Sequence, residues 1–316
     1  MPYPPPRKIV KAAERGLGNI NKYITSEECE PLFELLSEYS KVDRDHLFLG
    51  PGSNIIIREV INAFSRERNL ITEYPSIPPR SRYMYGYRVK LIKIRLNPPD
   101  FNLDPELLVD MADKSLVVIG NPNNPTGKDI ISRRTLKLIL ENTDALVIID
   151  EAYYEFSGIT YADLVEKYPN LIIVRTLDKA FGLAGLRIGY AIGGETFRHA
   201  LQSLHFTLSR PSIYAAIEAI ENLNYMKKNV GIILKERERM RKALEKLGIK
   251  TYPSKTNFFL IKTEIYDLVD RLRKRGIIVL DLSSIWIKGF IRISVGTPEE
   301  NDLFLTAVKN VLGEHD

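Results

Sequence analysis

From about residue 47 onward, short apolar runs alternate with amphipathic stretches, and no other feature of the sequence limits the fold as tightly. The runs at 47–49, 70–72, 88–96, 115–119, 145–149 and 171–174 have strand length. Most are apolar almost throughout, which is the texture of strands covered on both faces rather than one. Helical patterns lie between several of them, and together they predict the α/β class, a mostly parallel sheet between helices. After about residue 223 the texture changes. A long charged amphipathic helix over 225–247 precedes a strand (257–262), a helix (266–275), strands (277–282, 290–295) and a closing helix over 299–312. That is a small α+β unit. The front of the chain gives an extended arm at Pro2–Pro6 and helices over 7–17 and 26–40. Neither end buries much core alone, so the two are expected to build one small domain. The expected organisation is an arm and part of the small domain over 1–45, a large domain over 46–223 and the C-terminal small domain over 224–316.

Composition excludes several classes of function. Lys and Arg number 45 against 40 Asp and Glu, a formal charge of only +5. The densest basic stretch, 235–246, is interleaved with Glu236, Glu238 and Glu245, the pattern of a solvated helix face, so no nucleic-acid partner is expected. A single cysteine, Cys29, excludes a disulfide framework and fits a reducing cytoplasm. His46, His199, His205 and His315 show no metal-ligand spacing, so no metal is expected. No apolar run reaches the roughly 18 residues of a spanning helix, and the first residues do not read as a signal peptide. The one glutamine, Gln202, fits a thermophilic source.

Three stretches carry the chemistry, each directly after a predicted strand: Asn-Pro-Asn-Asn-Pro-Thr-Gly at 121–127, Asp-Glu-Ala-Tyr at 150–153, and Thr-Leu-Asp-Lys-Ala-Phe-Gly-Leu-Ala-Gly-Leu-Arg at 176–187. In open α/β sheets ligands bind at the carboxyl ends of strands, so the three loops are expected to face one site. Lys179 lies among Ala180, Phe181, Leu183 and Ala184, and a lysine desolvated in this way can act as a nucleophile. Arg187 is a permanent cation suited to a phosphate. Asp150, at a buried strand end, needs a cationic partner, and a ring pyridinium is one. A phosphate-bearing aldehyde with a ring nitrogen meets all three demands, which describes pyridoxal 5'-phosphate. Taken singly, each residue also has a plain structural explanation, such as a snorkelling lysine, a helix-capping aspartate or a packed tyrosine.

These motifs, in this order over nearly the whole chain, resemble the fold-type I pyridoxal-phosphate enzymes of the class I/II aminotransferase family. Within it they are most similar to histidinol-phosphate aminotransferases and their relatives, the threonine-phosphate decarboxylases. The resemblance implies a large domain with a seven-stranded, mostly parallel sheet, a small domain from both chain ends, and a homodimer. It implies that Lys179 bonds the cofactor and moves the proton at the substrate carbon, and that Asp150 keeps the pyridine nitrogen protonated. Asn124 and Tyr153 are implied to hold the phenolate oxygen, and Tyr74 to stack on the ring. Gly52, Ser53 and Asn54 at a helix start, with Thr176 and Arg187, are implied to form the phosphate cup. Tyr23 is implied to reach the phosphate in the neighbouring subunit, and Arg292 to clamp the substrate carboxylate.

Three departures stand out. Asp178 occupies the place of a Ser or Thr that donates to the phosphate; an ionised carboxylate cannot donate, so Asp178 is expected outside the phosphate shell. Leu280 replaces an arginine that helps hold the substrate phosphate in the histidinol-phosphate enzymes, with Arg80, Arg82 and Arg210 as possible substitutes. The arm that covers the substrate in the relatives is nearly missing from residues 1–6, leaving a more open site or a start upstream of Met1. The expected reaction is transfer of an amino group from an amino acid or amino-phosphate donor to a 2-oxo acid, with 2-oxoglutarate as acceptor. The alternatives are decarboxylation, as of threonine phosphate, on the same scaffold, and a catalytically silent binding protein.

Overall fold

The apolar runs pair into one seven-stranded sheet. The structure is a computed structural model and describes residues 1–65, 68–78, 90–203 and 207–314. Its strands are β1 (Leu47–Gly50), β2 (Leu70–Tyr74), β3 (Leu91–Arg95), β4 (Leu116–Gly120), β5 (Leu146–Asp150), β6 (Leu171–Thr176) and β7 (Gly189–Gly193). They lie in the order β1–β7–β6–β5–β4–β2–β3. β3, β2, β4, β5 and β6 pair in parallel, while β7 runs antiparallel to both of its neighbours. Alternation along each strand divides the core in two. Leu146 and Ile148 of β5, with Ile172 and Val174 of β6, pack with Ile56, Ile57, Val60 and Ile61 of α3 (Ser53–Phe64). Val147, Ile149 and Ile173 face the opposite, larger core.

α1 (Arg7–Gly16) and α2 (Ser26–Ser40) precede the sheet. α4 (Pro105–Ala112), α5 (Arg133–Asn142) and the short α6 (Tyr154–Ser157) connect its strands, and α7 (Glu195–Ser203) follows the last of them. α8 (Arg210–Glu221) then leads to the long α9 (Leu223–Lys246). The last part of the chain forms a four-stranded antiparallel sheet in the order β10–β11–β9–β8. It comprises β8 (Lys250–Thr251), β9 (Phe258–Lys262), β10 (Leu280–Asp281) and β11 (Phe290–Ser294), with α10 (Leu268–Lys274) and α11 (Pro298–Gly313).

The principal contacts of α1 and α2 are with α8, and for α2 also with β1, within the span expected to form the large domain. The apolar stripe of these helices (Ile9 and Ala12; Leu32 and Leu36) is buried. One expectation, the strand over 277–282, needs correction: it shrinks to the two residues of β10, and Ile278 is left 83% exposed.

Candidate active site

A cavity of ≈ 410 Å³ opens at the carboxyl ends of the parallel strands, and all three motif loops line it. Asp150, the last residue of β5, is buried, and its Oδ1 accepts the Ala152 N–H at 3.2 Å. Tyr153, also buried, packs edge-on against Phe258, with ring centroids 5.2 Å apart. Asn124 links two parts of the cavity. Its Nδ2 donates to the Tyr153 hydroxyl at 3.3 Å, while its Oδ1 accepts from Arg292 Nη1 at 2.7 Å. Lys179 enters from the loop after β6 and is half-buried. Residues at the front of the chain follow this wall: Met1 lines the cavity, and the Tyr3 carbonyl lies close over Gly182.

The far end of the cavity is the start of α3. Ser53 and Asn54 line it, and Gly52 is the residue before the helix. No side chain accepts the role of N-cap there, which leaves the first N–H groups of a twelve-residue helix facing the cavity end. Gly52 has φ +85°, and a Cβ on it would sit 2.6 Å from Arg187 Nη2. Gly189 in β7 allows the same close approach from below, since a Cβ there would meet the Ser53 nitrogen at 2.7 Å. Two glycines therefore bring a helix terminus and the Arg187 guanidinium into one small volume, the geometry of an anion cup.

Arg292 projects from β11 into the opposite end. Its guanidinium lies 4.7 Å from the Phe258 ring centroid, and its buried Nε has no hydrogen-bond partner. Burial pulls its pKa below the usual guanidinium value, and among the described residues no ion pair offsets this. A half-buried arginine with unused donors suits a carboxylate from outside the chain.

Lys179, Asp150, Tyr153, Asn124, Ser53, Asn54, Arg187 and Arg292 thus converge, with Gly52 at the cup. Three expected residues do not. Alternation along β2 sends Glu73 into the cavity and Tyr74 away from it; the Tyr74 hydroxyl donates to the Ile285 carbonyl, and Lys93 Nζ lies 5.3 Å from its ring. Thr176 directs its hydroxyl to the Ile188 carbonyl at 3.1 Å and accepts the Asp178 N–H at 3.1 Å, so it braces the loop. Tyr23 is 85% exposed and does not line the cavity of its own chain. Asp178, expected to pair with an arginine outside the phosphate shell or to alter the cup, pairs with Arg187 and lines the cavity. Arg210, considered as a substitute cation, is committed elsewhere. It donates to Glu28 at 2.6 and 2.9 Å and to the carbonyls of Asn19, Lys22 and Tyr23. Arg80 and Arg82 lie outside the described residues.

Glu73 was not singled out from the sequence. Its Oε2 accepts from Thr72 at 2.9 Å and its Oε1 accepts the Gly120 N–H at 3.2 Å. The available signal was a carboxylate near the end of an otherwise buried run. Glu151, next to Asp150, turns away from the cavity into a buried pair with Arg175 at 2.9 Å, the two side chains being 0% and 1% exposed. Arg175 also stacks over Tyr154 at 3.8 Å. Replacing Arg175 with Met would leave Glu151 buried and unpaired, at a cost of about 3–5 kcal/mol. Denaturant unfolding should show that loss, and a change below about 1 kcal/mol would rule it out.

The fold, with its reactive groups at the strand ends beside a helix terminus open to phosphate, is that of the fold-type I pyridoxal-phosphate enzymes. The chain belongs to the aminotransferase class I and II family, whose model matches residues 1–308. It is 37% identical to the histidinol-phosphate aminotransferase of Sulfurisphaera tokodaii, over 98% of this chain and 88% of that protein. To that of Thermoanaerobacter pseudethanolicus it is 36% identical, over 98% and 91%. The crystal structure of the histidinol-phosphate aminotransferase from Clostridium acetobutylicum superposes with a TM-score of 0.87 at 25% identity, covering 99% of this chain and 98% of that one. The chain is a pyridoxal-phosphate-dependent aminotransferase, and the lyase and silent-binder alternatives give way to that class. No helix among the described residues is long and apolar enough to cross a membrane.

Proposed function

We propose that the chain transfers an amino group from an amino acid or amino-phosphate donor to a 2-oxo acid, with 2-oxoglutarate as the acceptor. The observation that carries this reading is the meeting of Lys179, Asp150, the Asn124–Tyr153 pair, the Arg187 cup and Arg292 in one cavity. Pyridoxal phosphate, when bound, supplies the electron sink that makes the substrate Cα acidic. In this reading Lys179 holds the cofactor and carries the Cα proton. Asp150 keeps a proton on the pyridine nitrogen, and Asn124 with Tyr153 fixes the phenolic oxygen. The N–H groups at the start of α3, with Arg187, take the phosphate. Arg292 takes the anionic group on the donor.

The donor is the open part of the reading. Leu280 sits directly across from Arg292 in the β10–β11 register, so an apolar side chain stands beside the clamp. The relatives support histidinol phosphate as a first donor to test, and amino-acid donors need only the one arginine. A donor screen with 2-oxoglutarate should yield glutamate. Carbon dioxide release without any oxo acid, and no glutamate from any donor, would overturn the reading.

The same reading makes the chain a cytoplasmic homodimer, with Tyr23 serving the neighbouring site. Arg210 holds the 19–23 segment in the shape that presents Tyr23 outward. Hydrogen bonds from Arg210, from the Thr25 N–H and from Tyr214 hold the Glu28 carboxyl down to about 2, against an ordinary 4.5. A carboxylate lowered in the folded state stabilises it above the ordinary value and loses that contribution as pH falls towards 2. Hydrogen exchange at the 19–23 amides should therefore accelerate as pH falls from 4.5 towards 2 beyond the intrinsic rate change. Glu28→Gln should remove that acid-dependent component, and an unchanged profile in the variant would refute the anchor.

A further inference from the structure

Beside Gly52 and Arg187, Asp178 brings a carboxylate whose charge opposes the phosphate that the rest of the cup fits. Its side chain is 5% exposed. One carboxylate oxygen, Oδ2, is taken by Arg187 Nη1, and the other, Oδ1, is buried with no hydrogen-bond partner. The loop is pinned by the Asp178 N–H to Thr176 Oγ1 bond at 3.1 Å. The position a Cβ would take on Gly52 lies 3.5 Å from Oδ2 and 2.6 Å from Arg187 Nη2, so the carboxylate shares the volume of the cup. An ionised carboxylate only accepts hydrogen bonds, and so does a phosphate dianion. The two repel unless a cation or a proton lies between them, and Arg187 already spends Nη1 on Oδ2.

We propose that Asp178 takes up one proton from solvent when the cofactor phosphate enters the cup, and that the protonated carboxyl donates it to a phosphate oxygen. This rests on reading the start of α3 and Arg187 as the phosphate cup. The groups acting on Asp178 are Arg187 and Lys179, with the Thr176 hydroxyl and the Ile188 backbone beside it; α3 contributes the uncharged Ser53 and Asn54 to the cavity. Glu73, Asp150, Tyr153, Arg292 and Met1 also line the cavity. Burial already raises the Asp178 pKa above the ordinary carboxylate value, with Arg187 and Lys179 opposing. A bound dianion pushes it further in the same direction. The sign follows: the raised group in the complex favours binding at low pH, and that advantage is lost as pH rises.

The test compares equilibrium binding of pyridoxal 5'-phosphate and of pyridoxal, which lacks the phosphate, to cofactor-free protein. Taking the ratio of the two affinities cancels the pH dependence of the ring and of Lys179. In the wild type the ratio should fall as pH rises, by up to tenfold per pH unit wherever the free carboxyl is ionised and the bound one protonated. In Asp178→Ser, and in the isosteric Asp178→Asn if the serine variant does not fold, it should vary only as the second ionisation of the phosphate near pH 6 dictates. Calorimetry in buffers of different ionisation heat should find about one proton fewer taken up by the variant. Wild-type and variant profiles that superimpose within about threefold, with equal proton uptake, overturn the proposal. If Arg187→Met collapses the ratio while those profiles superimpose, the cup stands and Asp178 alone is misread. If Arg187→Met leaves the ratio unchanged, the cup reading itself fails, and the proposal with it.

Discussion

Replacing Lys179 with alanine should lower transaminase turnover by about 10⁴-fold or more, while the protein still folds and still takes up cofactor. The magnitude combines loss of a positioned proton carrier, worth about 10²–10⁴-fold, with loss of the covalent attachment. Folding should survive because the lysine's structural share is backbone: its carbonyl accepts the Gly182 N–H at 3.1 Å, and alanine keeps that bond. The neighbours Ala180, Phe181 and Leu183 are buried and anchor the loop independently. Uptake should survive because the cup at α3 and Arg187, with Asp150 and the Asn124–Tyr153 pair, is untouched. Two measurements check this. Turnover above about 1% of wild type would show that another base carries the proton. Borohydride treatment should leave cofactor attached to the denatured wild type and not to the variant; attachment in both would place the covalent bond on a different residue.

The site was legible in the sequence where one residue type answers to one chemical demand. The lysine after β6, the aspartate ending β5 and the amide in the loop after β4 were placed by strand-end position, and the cavity gathers all three. Side-chain direction was not legible. Tyr74 and Glu73 are adjacent in β2, and only the register of the pleat decides which of them enters the cavity. Thr176 holds a strand-end position too, but the turn to Ile188 claims its hydroxyl. The sheet was read from apolar runs, which explains both its successes and its gap. β4, β5 and β6 are wholly buried and declare themselves, whereas β7 has glycine at both ends of five residues and did not register as a strand. Gly189 is there because the start of α3 packs against it, a tertiary demand that local propensity does not contain. Asp178 was recognised as anomalous, but its place depended on whether Arg187 would turn towards it. The two opposite charges, nine residues apart, meet with Arg187 in a left-handed backbone at φ +51° and its guanidinium beside Gly52.

Arg292→Leu should cost about 10²–10⁴-fold in kcat/KM for any donor that presents a carboxylate, with cofactor affinity unchanged. Charge-assisted hydrogen bonds contribute about 1.5–3 kcal/mol each, and a guanidinium offers a carboxylate two in parallel. Arg292→Lys should recover only part of that, because an ammonium has no planar fork. The arginine also belongs to a chain of contacts, since Asn124 bonds it at 2.7 Å on one side and the Tyr153 hydroxyl at 3.3 Å on the other. Substrate anion and cofactor oxygen are therefore held by neighbouring links of one network, and losses at Arg292 and Asn124 should not add. A double-mutant cycle with Arg292→Lys and Asn124→Ala should give a coupling of about 0.5–3 kcal/mol, seen in kcat rather than KM if it acts on the transition state. Strict additivity would mean that Arg292 acts as a clamp alone. Equal losses for Arg292→Lys and Arg292→Leu would show that fork geometry, not charge, selects the donor. A substrate profile indifferent to both changes would move the anion site to another part of the cavity.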